Sequence, residues 1–506
     1  MQTSDLIRIL PEIILAVAGI VVMLLGAFQK RNAGRAHPAI ALLGLLGAAG
    51  AIVYQHPWRS LDPAFGGMLE VDAFSAFFHI LFFLVAALVV LSSSEYVAQE
   101  RLASGEYHAL LLFATMGMGL MASSNDLIMI FIGLEISSLA SYILVGFRRG
   151  VATSSESSLK YFLLGSFATA FLLYGIALMF GATGATNLTE IHLALQAEQN
   201  TVTAMASPQL TPLVGPVPTA LVGLSIALLF VGFAFKVSAV PFQIWTPDVY
   251  QGAPTPVTAF LSTGSKAAAF AVFLRVFMVA LEGSAQDWVW LLWVSGLLSM
   301  VLGNLAALLQ TNIKRMLAYS SIAHAGYILV AFTAHSEEGM AAVMFYLAAY
   351  ALMNIGAFAV VSHFGNRGER YVEMEHYAGL GYRAPLLAAS MTVFLLSLIG
   401  IPLTGGFFGK FYIFRAALHA DLVWLTVLGV LNSAIAAYYY LRVIVFMYMH
   451  PAAEQIPVER VRPAMGFVLI FSVAATFLLG IFPQAVLDFA SQAAALLLEN
   501  LGNGVL

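Results

Sequence analysis

The sequence predicts an all-α polytopic membrane protein of about fourteen transmembrane helices, with two inverted repeats of five helices and with helices 7 and 12 broken. Three observations carry that expectation. Of 506 residues, 61% are hydrophobic and 9% charged, and mean hydropathy is +0.90; soluble domains carry about 25% charged residues. Apolar stretches of spanning length recur along nearly the whole chain. Two of them are interrupted by proline, each beside a lysine.

The stretches lie near 7–28, 37–54, 73–91, 107–123, 126–147, 157–181, 219–241, 256–281, 288–309, 315–334, 339–364, 385–418, 422–449 and 463–484. The first is long enough to span and has no small-residue cleavage pattern behind it, so it reads as a helix and not as a signal peptide. The seventh ends in Val240-Pro241-Phe242, and the twelfth, too long for one straight span, is interrupted by Ile401-Pro402-Leu403-Thr404-Gly405-Gly406. Proline removes a backbone donor and clashes with the preceding turn, so both read as broken helices. Breaks five segments apart, each with a lysine, point to repeats built from segments 4–8 and 9–13. An odd number of helices per repeat inverts the second relative to the first. The expected units are 1–106, a three-helix segment; 107–281 and 288–449, the repeats, each with a half-channel; and 450–506, helix 14 and a tail.

If the first connection faces the cytoplasm, Lys30, Arg31, Arg35, Arg101, Arg148, Arg149, Lys314, Arg315, Arg367, Arg370, Arg383, Arg460 and Arg462 all lie inside, and only Arg8 and Arg59 lie outside. The positive-inside rule then puts both termini on the outer side of a cell inner membrane. The connection at about 182–218 has no Lys or Arg and reads as an outer surface excursion. A net charge of −4, with no basic run beyond Lys30-Arg31 and Arg148-Arg149, excludes a nucleic-acid partner; the lipid bilayer is the partner that composition implies. With no cysteine the chain offers neither disulfides nor thiolate ligands for iron–sulfur clusters.

Charges inside the spans are the candidate functional groups. An ammonium at the bilayer centre costs roughly 2.5–3.5 kcal/mol, so each needs a partner or a wet cavity. Glu135, Lys266 and His324 fall near mid-span; a static ion pair is the plain alternative for the first two, and a merely hydrogen-bonded helix histidine for the third. Lys236 and Lys410 adjoin the helix breaks, where unwound backbone lines protein or a cavity, and are the strongest candidates. Lys160 enters near the inner end of its helix, where snorkelling and function are equally open. Arg275, Arg415 and Arg442 lie within about two turns of helix ends, and snorkelling accounts for them.

The run Phe235-Lys236-Val237-Ser238-Ala239-Val240-Pro241-Phe242-Gln243-Ile244-Trp245-Thr246-Pro247-Asp248-Val249-Tyr250-Gln251-Gly252-Ala253-Pro254-Thr255-Pro256, followed by Lys266, resembles the antiporter-like subunits of proton-pumping NADH:quinone oxidoreductase, respiratory complex I. Tyr350-Ala351-Leu352-Met353-Asn354-Ile355-Gly356-Ala357-Phe358 and Gly406-Phe407-Phe408-Gly409-Lys410-Phe411-Tyr412 narrow the resemblance to the subunit N family. In the sister subunit M the position of Lys410 holds a glutamate, and no long lateral helix like that of subunit L follows segment 14.

The resemblance implies proton translocation coupled to electron transfer from NADH to quinone in other subunits. It implies that Glu135 modulates Lys236, that Lys160 stands beside that pair, that Lys266 and His324 form a central axis, and that Lys410 serves the second half. It implies no cofactor in this chain, with NADH, FMN, iron–sulfur clusters and quinone in partner subunits. Among those partners are subunit M and the small subunits K, J and A. A carboxylate about 4 Å from an ammonium is worth roughly 4 kcal/mol at an effective dielectric near 20. Moving one charge against 100 mV costs about 2.3 kcal/mol, so shifting Glu135 relative to Lys236 is large enough to toggle a proton. Competing readings are a subunit of a sodium/proton antiporter or membrane-bound hydrogenase, a ferredoxin-linked plastid-type relative, and a non-pumping module whose buried pairs only hold helices together.

Overall fold

A computed structural model describes residues 3–28, 36–55, 62–204, 219–365, 367–451 and 456–502. Lys30, Arg31, Arg35 and Arg59 of the charge count, positions 205–218 of the long connection and the terminal Leu506 lie outside the described residues.

Apolar sequence in lipid must satisfy its own backbone, and helices do so within one segment. The helices are α1 (Thr3–Arg8), α2 (Leu10–Phe28), α3 (Ala36–Gln55), α4 (Ala73–Gln99), α5 (Ser104–Ser123), α6 (Leu127–Val145), α7 (Ala152–Thr183), α8 (Leu188–Ala204), α9 (Thr219–Val237), α10 (Trp245–Gly252), α11 (Thr255–Phe260), α12 (Lys266–Arg275), α13 (Ala285–Leu308), α14 (Ile313–Thr333), α15 (Glu337–Gly365), α16 (Leu380–Arg383), α17 (Pro385–Ile399), α18 (Gly405–His419), α19 (Val423–Met449), α20 (Pro463–Ile481) and α21 (Gln484–Gly502). Among the described residues, 12 helical runs are long and apolar enough to cross a membrane. The count of fourteen is reached only by adding α5 and the broken pair α17 and α18.

Polar residues at the membrane faces set where helices begin. Asp72 caps α4, accepting from Ser75 N at 2.6 Å while Ser75 Oγ accepts from Asp72 N at 3.0 Å. Asp126 accepts from Ile128 N at 2.8 Å, and Asn312 from Lys314 N at 3.1 Å, starting α6 and α14.

Both expected breaks are present. The seventh segment unwinds after α9 and resumes as α10, a second half that extends past the expected end at 241. The twelfth stops at Gly400, whose φ of 94° ends α17, and restarts at Gly405. A Cβ on Gly406 would lie 1.9 Å from Ser397 O, so only glycine lets the two half-helices approach this closely. The eighth segment, expected as one helix, contains two π-helical turns, Leu261–Ser265 and Val276–Ala280. The first ends immediately before Lys266.

Further elements lie outside the expected spans. Strands β1 (Asp62–Ala64) and β2 (Leu69–Val71) form a small antiparallel hairpin. Helix α8 occupies part of the 182–218 connection, and α21 replaces the expected tail, burying Ala490, Ala493, Ala494 and Leu497.

The connections meet at two faces. At one, Asn125 N donates to Met68 O at 2.9 Å, Leu127 N to Thr186 O at 2.9 Å, and Asn187 Nδ2 to Gly67 O at 2.9 Å. At the other, the basic face, Arg462 pairs with Glu95 at 2.9 Å. There Glu369 accepts from Tyr96 at 2.9 Å, from Thr255 N at 2.7 Å and from its hydroxyl at 2.6 Å, and pairs with Arg148 at 3.0 Å and Lys314 at 2.8 Å. Burial pushes the Glu369 carboxyl up, but Lys314 and Arg148 outweigh it and hold the group below its ordinary value.

Arg275 corrects a sequence expectation. It does not snorkel: it is 1% exposed, and its guanidinium grips both Asp72 oxygens at 2.9 and 2.8 Å and reaches Glu70 at 3.5 Å. Its partners come from the hairpin and the start of α4, where a short helix-end arginine finds carboxylates instead of headgroups. Burial and the neighbouring Asp72 raise the Glu70 carboxyl above its ordinary value, with Arg275 opposing.

Candidate functional site

Four of the six expected residues are buried, each held by polar partners on neighbouring helices. Lys236, in the last turn of α9, is 8% exposed and donates to Ser138 Oγ of α6 at 2.6 Å. Its ammonium stands 5.3 Å from the ring centre of Tyr142 and 5.7 Å from that of Tyr161, cation–π contacts that offset part of its desolvation. Lys266, 2% exposed, follows the π turn and donates to the carbonyl and hydroxyl of Ser321 on α14 at 2.9 and 2.5 Å. One extra residue per turn re-aims the side chains that follow, and π turns concentrate where such aiming matters.

One turn beyond Ser321, His324 is held on both sides. Its Nδ1 lies 2.5 Å from the Tyr346 hydroxyl of α15, and its Nε2 lies 3.1 Å from the Tyr440 hydroxyl of α19, which also meets Ser320. A neutral imidazole with a phenol on each nitrogen accepts a proton on one side while releasing one on the other. Lys410, 6% exposed, donates to Leu398 O at 3.0 Å, Ile399 O at 2.9 Å and Ser433 Oγ at 2.8 Å. The first two are the free carbonyls at the end of α17, where the helix dipole favours a cation. The break in segment 12 thus supplies the partner that Lys410 needs in lipid. Tyr327, whose ring centre is 4.8 Å from the Lys410 ammonium, connects through Asn304 to Tyr439.

The other two residues make no direct contact with this group. Glu135 is half-buried, one turn before Ser138 on α6 and within electrostatic range of Lys236, but no ion pair within 4.0 Å joins the two, and among the described residues its Oε1 has no hydrogen-bond partner. Lys160 is turned to the basic face with its side chain 42% exposed, pairing with Glu156 at 2.7 Å and Asp248 at 2.8 Å. Asp248 in turn pairs with Arg315 at 2.7 Å.

Sequence reading missed Ser138, Ser433, Tyr346 and Tyr440, which hold Lys236, Lys410 and His324 in place. Hydroxyls in apolar helices are the only local signal for them. The tyrosines count as apolar in any hydropathy window, and their partners lie on distant helices.

The sequence pattern of the NADH:quinone oxidoreductase/Mrp antiporter transmembrane family matches residues 124–436. NADH-quinone oxidoreductase subunit N 1 of Solibacter usitatus (strain Ellin6076) is 54% identical over 493 residues, covering 97% of this chain and 98% of its own. A chain of respiratory complex I from Thermus thermophilus superposes with a TM-score of 0.78 at 37% identity, over 95% of this chain and 99% of that one. A chain of the membrane-bound sulfane sulfur reductase, an archaeal respiratory complex, superposes with a TM-score of 0.82 at 25% identity, over 99% and 100%. Backbone shape therefore does not separate these complexes; sequence identity does.

Proposed function

The chain belongs to the subunit N family of NADH-quinone oxidoreductase, within the antiporter-like membrane family, and on that footing we propose that it carries protons along the line Lys236, Lys266, His324, Lys410. It is a proton-translocating membrane subunit of the oxidoreductase, and the redox chemistry belongs to other subunits. The observation that supports the route is two hydrogen-bonded groups set one turn apart on α14: Lys266 on Ser321, and His324 between Tyr346 and Tyr440, with Lys266 and Lys410 both within electrostatic range of the imidazole.

In this reading residues 107–281 and 288–449 are inverted repeats, each a half-channel. Lys236 loads from the basic face, Lys266 and His324 pass the proton laterally, and Lys410 delivers it to the other half. Glu135, drawn away from Lys236 in this state, is the movable charge: its approach holds the proton on the lysine and its withdrawal releases it. Lys160 acts at the mouth of the first half. The basic face is cytoplasmic, and both termini lie outside. Subunits M, K, J and A are the neighbours, with NADH, FMN, iron–sulfur clusters and quinone held by partners.

Purification of the assembled complex tests the assignment: NADH-oxidising peripheral subunits are expected to accompany this chain, and sodium/proton antiporter subunits in their place would overturn it. A reporter inserted beside Arg149 is expected to be cytoplasmic and one fused after Leu506 to be external. A cytoplasmic C-terminus would break the helix count. The isolated chain is expected to oxidise no NADH and to show no visible absorbance; a stoichiometric flavin or cluster would contradict that.

A further inference from the structure

A cavity of about 260 Å³ opens on the basic face against α7 and α10, with Glu156, Ser157, Lys160, Asp248, Lys314 and Glu369 among its walls. Lys236 is not among its walls, but two aromatic rings that neighbour Lys236 are carried by the same two helices, α7 and α10, that wall the cavity. Trp245 stacks on Tyr161 with centroids 4.5 Å apart and planes 16° from parallel, while its indole Nε1 donates to Phe235 O at 3.0 Å. The Lys236 ammonium lies 5.7 Å from the centre of the same Tyr161 ring.

Trp245 and Asp248 are three residues apart on α10, hence on one face of it, and their partners Tyr161 and Lys160 are adjacent on α7. The ion pairs in the cavity wall and the ring stack beside Lys236 therefore share one eight-residue helix. Asp248 is bound on both sides, to Lys160 at 2.8 Å and Arg315 at 2.7 Å, so it ties α10 to both α7 and α14. At its other end α10 hangs from the unwound segment 238–244. There Val240 is fixed to α13, its N–H donating to Ser299 Oγ at 2.8 Å and its carbonyl accepting from Ser295 Oγ at 2.6 Å. A short rigid element with a pinned unwound start and a charged catch one turn further along has the parts of a hinged closure.

We propose that α10 is the gate between the basic-face cavity and Lys236, with Asp248 as its latch and the Trp245–Tyr161 stack as its seal. The proposal rests on the reading of Lys236 as a proton carrier loaded from this face. Trp245 and Asp248 are positioning residues: they touch no transferred proton and control whether water reaches the lysine.

The chain has no cysteine, so one introduced thiol is the only one in this subunit. In the assembled complex in inverted vesicles, a small charged methanethiosulfonate added to the basic face is followed by the mass of this subunit. Thr153→Cys, at the exposed mouth, is expected to react quickly, and Ser138→Cys, behind the seal, slowly. Adding Trp245→Ala to Ser138→Cys is expected to raise its rate about tenfold or more, because labelling follows the open population. Trp245→Phe keeps a ring on Tyr161 and is expected to leave the rate low. Asp248→Asn, nearly isosteric and decisive even if Trp245→Ala does not assemble, is expected to raise it as well. A Ser138→Cys rate that is already fast in the parent, or that Asp248→Asn leaves unchanged, overturns the gate. Labelling needs no turnover, so it succeeds or fails independently of whether Lys236 carries protons.

Discussion

Lys236→Arg is expected to assemble normally and to lower NADH-driven proton transfer to about a tenth of the parental value or less, the scale of losing a positioned proton donor and acceptor. The guanidinium keeps the positive charge, can still donate to Ser138 and can still sit over the rings of Tyr142 and Tyr161. What it loses is the ability to give its proton up, which a buried ammonium retains. Lys236→Ala is a poorer test, since it also removes the donor to Ser138 and the cation whose charge Glu135 feels, and so mixes chemistry with destabilisation. The measurement is proton uptake into inverted vesicles, normalised to assembled complex and electron flux. Parental uptake per electron at the parental rate would remove deprotonation of Lys236 from the mechanism and favour a purely structural lysine.

The second large effect is on stability. Arg275→Met leaves Asp72 and Glu70 buried without their cation, and breaking a buried pair on one side costs about 3–5 kcal/mol. Most of the variant subunit is expected to be missing from the membrane complex. Arg275→Lys keeps the charge but not the second nitrogen, which lets Nη2 hold Asp72 while Nη1 reaches Glu70, and is expected to fall between the parent and Arg275→Met. Combining Arg275→Met with Asp72→Asn and Glu70→Gln is expected to restore much of the assembled amount, because asparagine still caps α4 and no bare charge is left. Immunoblots of assembled complex and its thermal midpoint in detergent read this out. A triple variant no better than Arg275→Met would mean that the arginine matters through packing against Phe74, whose ring centre lies 5.0 Å away.

What the sequence disclosed follows the range of the forces involved. Spans were legible because lipid demands long apolar runs, and the breaks because Pro241 and Pro402 act on their own turn. Lys236, Lys266, His324 and Lys410 were visible as polar residues in apolar surroundings. Arg275 was misread because its partner Asp72 lies 203 positions away, on a connection too short to announce itself as a hairpin. Lys160 was expected beside Glu135 and Lys236, but its ammonium turns to Asp248, 88 positions on. The π turn before Lys266 leaves no periodic trace, since five residues cannot shift the hydrophobic pattern of a helix that is buried all round.

Glu369 has a consequence for how this protein can be recombined. It follows α15, yet it is satisfied by Tyr96 of α4, by Arg148 between α6 and α7 and by Thr255 at the start of α11, as well as by Lys314 of α14. A chimera spliced with a paralogue between positions 281 and 285 therefore draws the carboxylate from one parent and most of its donors from the other. The two stretches look alike by their spans, but this side chain is one of the links that match them, and a compatible graft keeps both the acid and its basic and hydroxyl partners.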